Sequence, residues 1–164
     1  MKICDLIYNG SVISAEDISA SIDNYKLKYS EYSEVVLPEK CETPEMIATV
    51  IAVYSSGLPI ILSQNKEYPI LHEHLSQWLE FCHKLFQNKG ISSVYIENSS
   101  EVMGSLVWLA GLECECKTEI SDNPKEANLA IVSLNAVLEK RISLNNYKYV
   151  ITCGTEQADF SEYS

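Results

Sequence analysis

Short apolar runs alternate along this chain with longer apolar or amphipathic stretches, and turn residues separate them. Ser33-Glu34-Val35-Val36-Leu37-Pro38 reads as a buried strand running into a turn. Thr43-Pro44-Glu45 then opens a helix, with a hydroxyl at the N-cap, proline in the first turn and an acid at the positive end of the dipole. Met46 to Tyr54 is apolar nearly all round, which predicts a helix covered on most sides. Gly57 supplies a C-terminal cap, and Leu58-Pro59-Ile60-Ile61-Leu62 is the next buried strand. Strand, helix, glycine and strand make a βαβ unit, whose crossover favours a parallel sheet.

The pattern returns further on. Ser93-Val94-Tyr95-Ile96 is a strand, Asn98 with Glu101 resembles a capping box, and Val102 to Ala110 is an apolar helix containing Trp108. Gly111 is expected to end that helix, with Leu112-Glu113-Cys114-Glu115-Cys116 following as a strand with one wet face. Aligning Gly57 on Gly111 brings Tyr54 onto Trp108, a weak internal repeat. Between the copies lies the best amphipathic helix in the chain. Leu71, Leu75, Trp78, Cys82 and Leu85 step by four and three, with Leu79 and Phe86 widening the stripe, and Gly90 stops it. A third unit runs from Asn128–Val132 (strand) through Leu134–Arg141 (short helix) to a last strand at Tyr147–Thr152. The fold class predicted is α/β, with a mainly parallel sheet of repeated βαβ units flanked by helices. Strands are expected near 35–38, 58–62, 93–96, 112–116, 128–132 and 147–152. The chain reads as one domain, 1–164, with weakly repeated halves at about 1–69 and 70–154 and an acidic tail at 155–164.

Charge narrows the partners. Against 12 basic side chains stand 23 acidic ones, a net charge of −11, and no cluster of Lys and Arg exists to neutralise phosphates, so nucleic acid is not expected. The longest apolar runs fall far below the roughly 20 residues that cross a bilayer, so no membrane partner is expected. The start, Met1-Lys2-Ile3-Cys4-Asp5, lacks the long apolar core of a secretion signal, which points to the cytoplasm. Six cysteines, Cys4, Cys41, Cys82, Cys114, Cys116 and Cys153, then read as reduced, packed thiols.

Candidate chemistry is sparse. Cys114-x-Cys116 projects from one face of the expected strand, but no second Cys/His pair completes a zinc set, so no metal is expected. His72, His74, Cys82 and His83 crowd one helix. His72 and His74 are two apart and point away from each other, so these side chains read as solvated or partly packed. Glu113 and Glu115 read as a solvated face of the strand. No residue is singled out as catalytic, no cofactor is expected, and cofactor-binding positions stay open.

Several stretches resemble one family. Ala52-Val53-Tyr54-Ser55-Ser56-Gly57-Leu58-Pro59-Ile60-Ile61-Leu62, followed by Tyr68-Pro69, looks like an early core motif of the AMP-forming adenylating enzymes. These are the acyl-CoA synthetases, nonribosomal-peptide adenylation domains and luciferases. Ile13-Ser14-Ala15-Glu16-Asp17-Ile18 is similar to the start of their first helix, and Val35–Pro38 with Pro44-Glu45-Met46 to their "leu-leu-pro-asn-ser-pro-glu" turn. Ala130–Leu138 and Leu144–Gly154 resemble a deeper segment of the same N-terminal domain. The family's Ser/Thr/Gly-rich phosphate loop ending in lysine has no counterpart, since the six glycines stand at 10, 57, 90, 104, 111 and 154. Gly154-Thr155-Glu156 echoes only the end of the "tyr-gly-x-thr-glu" motif, in which threonine and glutamate help hold metal and ATP phosphates.

Three readings follow. The resemblance implies a truncated, non-catalytic adenylation-domain-like protein, a binding or assembly partner in acyl or peptide biosynthesis. It also admits one subunit of a split AMP-forming ligase. The residues alone admit an unrelated small α/β enzyme or ligand-binding domain. In the first reading the partner is a protein, either a second copy or a larger biosynthetic enzyme. Trp78, Phe81 and Phe86 give the amphipathic helix more aromatic area than one stripe requires and are the candidate interface, the alternative being that all three rings close the protein's own core.

Overall fold

A computed structural model describes residues 5–38, 43–97, 103–139 and 142–153, apart from the side chains of Asn65, Met103, Leu112 and Cys153. The chain opens with a hairpin, β1 (Leu6–Tyr8) and β2 (Ser11–Ile13), joined by Asn9-Gly10. Both turn residues have positive φ, 47° and 78°, the pairing that matches strand twist in a two-residue turn. Helix α1 (Ala15–Lys28) follows, capped by the Ser14 hydroxyl, which accepts from the Asp17 N–H. Then come β3 (Val35–Leu37), α2 (Pro44–Ser55), β4 (Ile60–Leu62) and β5 (Asn65–Ile70). The second half runs α3 (His72–Lys89), β6 (Ser93–Glu97), α4 (Met103–Glu113), β7 (Lys117–Ser121), β8 (Leu129–Ser133), α5 (Leu134–Leu138), a 3₁₀ turn at Leu144–Asn146 and β9 (Tyr149–Cys153).

The architecture is α/β, as the pattern predicts. Strands form a six-stranded sheet in the order β2-β1-β7-β6-β8-β9 and a three-stranded sheet in the order β3-β4-β5. Four neighbouring pairs of the larger sheet are parallel, from β1–β7 through to β8–β9, and only the β1–β2 hairpin is antiparallel. Both expected βαβ units exist, but β3-α2-β4 builds the small sheet and β6-α4-β7 the large one. Thr43 caps α2 as expected, its hydroxyl accepting from the Met46 N–H at 3.3 Å with Pro44 in the first turn.

Side chains alternate across the larger sheet. Val94, Ile96, Leu129 and Ile131 face the main core, which α1 to α4 cover. Tyr95, Ala130 and Val132 face a second, smaller core closed by Ala136, Val137, Ile142 and Tyr147. Capping-box residues Asn98 and Glu101, and the tail with Gly154-Thr155-Glu156, lie outside the described residues.

One expected strand is absent from its place. Leu112–Cys116 is not extended: α4 runs on to Glu113, and β7 begins only at Lys117. Three helices close with the same bond, from the N–H just past a left-handed residue to a carbonyl five back. Leu58 reaches Val53, Ile91 reaches Phe86, and Cys116 reaches Gly111. At the first two, Gly57 and Gly90 hold the left-handed position; at the third it is Glu115, with φ of 59°. Gly111 therefore sits inside the helix for a different reason, because a β-carbon there would overlap the Oγ1 of buried Thr118 on β7.

Opposite substitutions at these two sites should have opposite effects. Glu115→Gly relieves the left-handed strain and should raise stability by about 1 kcal/mol. Gly111→Ala should lower it by about 1–3 kcal/mol, with partial recovery in the double variant Gly111→Ala/Thr118→Ala. Urea denaturation of the four proteins checks both, and a stable Gly111→Ala protein would refute the close packing.

Candidate functional site

In an open parallel sheet, ligands gather outside the carboxyl ends of strands where the chain's crossovers leave in opposite directions. Here that point lies between β6 and β8, because β6 continues to β7 on one side while β8 continues to β9 on the other. The last residues of three adjacent strands are polar, Ser121 on β7, Glu97 on β6 and Ser133 on β8. Glu97 is only 3% exposed and its Oε2 accepts from the Ser133 N–H at 2.6 Å. Ser133 in turn caps α5, its hydroxyl accepting from Ala136 N–H. Ser121 is buried too. Its carbonyl accepts from the Tyr95 hydroxyl at 3.2 Å, and its Oγ accepts from the Asn123 N–H at 3.1 Å. This carboxylate thus fixes the β8–α5 turn, a structural task that accounts for its burial.

At the opposite edge, Pro124–Ala127 and Asn146–Tyr147 line an open cleft of about 390 Å³. Its volume is within the range of ligand pockets; Lys125 and Glu126, opposite in charge, line it together with buried Tyr147, whose pKa burial pushes up.

The residues singled out in the sequence are dispersed. His72 stacks on Tyr54 of α2 with ring centroids 5.0 Å apart, and Ser76 Oγ lies 3.4 Å from both the His72 Nε2 and the Tyr54 hydroxyl. His74 points to solvent beside Glu73. Cys82 is fully buried. His83 approaches Glu113 of α4 to 2.5 Å, without the alignment of a hydrogen bond. Glu113 therefore belongs to a helix end that packs against α3, and Glu115 to the turn after it; neither is on a strand. Cys114 and Cys116 fall in that same turn, where the Cys116 thiol donates to the Ile91 carbonyl at 3.0 Å. Burial pushes both thiols up, helped at Cys114 by the neighbouring Glu113 carboxylate and at Cys116 by Cys114. Among the described residues, no group of three His, Cys, Asp or Glu side chains is placed to hold a metal.

The aromatic residues of α3 separate into two kinds. Phe86 is 2% exposed and lies in the main core, so it cannot form part of an interface. Trp78 is half-buried against that core. Phe81 is 49% exposed and stacks on Trp78, with centroids 5.4 Å apart. Leu71, just before the helix, is 43% exposed and stands about two turns from Trp78 along the same side. Leu71 replaces Phe86 as the third member of the exposed set. Its heptad spacing from Trp78 could have marked it, whereas Phe86 shares the spacing of Leu75, Leu79 and Cys82. Among the described residues, no helix is long and apolar enough to cross a membrane.

Two measurements test these assignments. Glu97→Ala leaves the Ser133 N–H buried without its acceptor and should cost about 1–3 kcal/mol, while Glu97→Gln keeps an acceptor and should cost less. Equal losses in urea unfolding would show that the bond to Ser133 is not what Glu97 contributes. For the thiols, a raised pKa means less thiolate at pH 8, so Cys114 should alkylate several-fold more slowly than free cysteine. Peptide mapping after timed labelling gives the rate, and a Cys114 as fast as the free thiol would contradict its environment.

Compared with protein-family models, curated proteins and solved structures, the chain matches none.

Proposed function

We propose that this chain is a non-catalytic binding protein that works inside an assembly, held there through α3. The observation that carries this reading is the stacked Trp78–Phe81 pair, half of whose outer ring faces solvent beside exposed Leu71. Full burial of such a ring removes on the order of 150–250 Å² from water; about half of that is left to Phe81 and less to Trp78, and aromatic anchors supply most of the binding energy at protein contacts. Polar Gln77 and Lys84 border the strip, the rim expected around an apolar contact. The likeness of Ala52–Leu62 and Tyr68-Pro69 to adenylating enzymes supports acyl or peptide biosynthesis as the setting. A second reading, a ligand-binding α/β domain, is favoured by the polar strand ends at the β6–β8 crossover point. The burial of Glu97 and its bond to Ser133 weigh against it.

Site-specific photocrosslinking in the native host tests the assembly reading. With p-benzoylphenylalanine in place of Phe81, the expected product is one discrete adduct, either to a second copy or to an enzyme of acyl or peptide biosynthesis. The same group in place of exposed Glu126 should give none. Absence of an adduct at position 81 would defeat the reading.

A further inference from the structure

We infer that the occupant of the α3 face is a second copy of this chain, its α3 lying antiparallel to the first about a two-fold axis. The inference rests on the assembly reading of α3 and specifies the partner. With 3.6 residues per turn, α3 presents four directions. Leu75, Leu79, Cys82 and Phe86 face the core. His72, Ser76 and His83 face the neighbouring helices, meeting Tyr54 of α2 and Glu113 of α4. Glu73, Glu80 and Lys84 face water. The remaining direction, opposite His83, carries Leu71, His74, Trp78, Phe81, Leu85 and Asn88. Spaced three and four apart, these are the first and fourth positions of a heptad repeated over the whole helix. Among the described residues α3 meets neighbouring helices on one side, and its other side, where Trp78 and Leu85 also touch the main core, has the spacing of a helix–helix seam.

That seam is complementary to itself. In an antiparallel pair, first positions meet fourth positions of the other helix. Trp78 of each copy then packs on Phe81 of the other, bringing the two stacked pairs together at the axis. Leu85 meets His74 and Leu71 meets Asn88, so the polar members fall toward the ends of the seam, where solvent reaches them. Charge agrees with this register. On the polar flank, Lys84 of one copy falls within about 3 Å, two residues of helical rise, of the level of Glu73 on the other, and the contact occurs twice by symmetry. The same register brings the two Glu80 carboxylates to nearly one level, and each is already paired with its own Lys84 at 3.0 Å, so Lys84 would serve both Glu80 and the other copy's Glu73. A parallel pair would instead turn the Lys84 flank toward the partner's Leu75–Cys82 side, which offers it no carboxylate. Each copy carries −11, so the local match acts against a general repulsion that ordinary salt screens beyond about 8 Å.

Sedimentation of the purified full chain from about 1 to 100 µM in 0.15 M salt, a screening length of about 8 Å, tests the pairing. A concentration-dependent dimer is expected. Phe81→Ser, on a ring half exposed in the single chain, should weaken it at least about tenfold with unchanged circular dichroism. Lys84→Glu should weaken it as well, and Lys84→Glu/Glu73→Lys in the same chain should restore it. A wild-type monomer across the range overturns the inference, as does a dimer that Phe81→Ser leaves intact. Failure of the charge exchange to restore a dimer that Phe81→Ser dissociates overturns the antiparallel register. A monomer in solution, combined with a Phe81 crosslink to a different protein in cells, overturns the second copy as occupant while the assembly reading stands.

Discussion

β6 sends Val94 and Ile96 to one face of the larger sheet and Tyr95 and Glu97 to the other, and all four are buried. A central parallel strand of this kind cannot leave either face wet, and most of the architecture answers that demand. On one side, α3 and α4 bring Leu75, Phe86, Leu106 and Trp108 over the strand. On the other, among the described residues, α5 and the segment after it supply the cover, and Tyr147 stacks on Tyr95 with centroids 6.2 Å apart. The buried carboxylate of Glu97 is tolerable because it accepts the backbone N–H that starts this thin cover. The polar end of the strand is thus tied to the packing of its apolar middle.

What was legible in the sequence was whatever a single dry environment imposes. Val94–Ile96, Leu129–Val132 and the all-apolar α2 have no alternative to burial, and each is where the pattern put it. The strand expected at Leu112–Cys116 failed because two alternating windows follow one another. Leu-Glu-Cys-Glu-Cys and Lys-Thr-Glu-Ile-Ser both alternate, and only the second alternates against a partner, with Thr118 and Ile120 turned to α4 and β6. Gly111 strengthened the wrong choice. It is needed for room beside Thr118, which no local pattern discloses, while the chain turns at Glu115. The β1–β2 hairpin was readable from Asn9-Gly10 between alternating residues. Its anchoring was not: Asn9 donates its N–H to the Ile120 carbonyl and accepts at Oδ1 from the Asp122 N–H, contacts more than a hundred residues away. β5 escaped because its exposed side chains and Pro69 give no burial signal, as suits the edge of a sheet.

For α3 the difficulty was of another kind. Its apolar sector is wider than its buried sector, and a wheel of residues alone cannot divide the two. Phe86 and Phe81 are equally aromatic and five residues apart, yet one is in the core and the other in solvent. The division follows from neighbours: Tyr54 and Glu113 come from other elements and claim one side of the helix. Only then do Leu71, Phe81 and the outer face of Trp78 emerge as apolar surface that the core does not cover.

Uncovered apolar area of this kind has a cost that the rest of the surface does not share. With 23 acidic side chains against 12 basic, like charge opposes association over most of the surface, and scattered apolar residues on that background need no explanation. Aligned rings are different, since they present dry area in one direction without sacrificing core packing. Trp78 serves both roles at once, its inner face against the main core and its ring stacked under exposed Phe81. In the proposed assembly, stability and association would be coupled at that residue: whatever holds Trp78 in place for folding would also pre-organise the surface offered to a partner. Pre-organised aromatic pairs lose little freedom on binding, so a small strip of this sort can act with an efficiency that its area alone would not suggest.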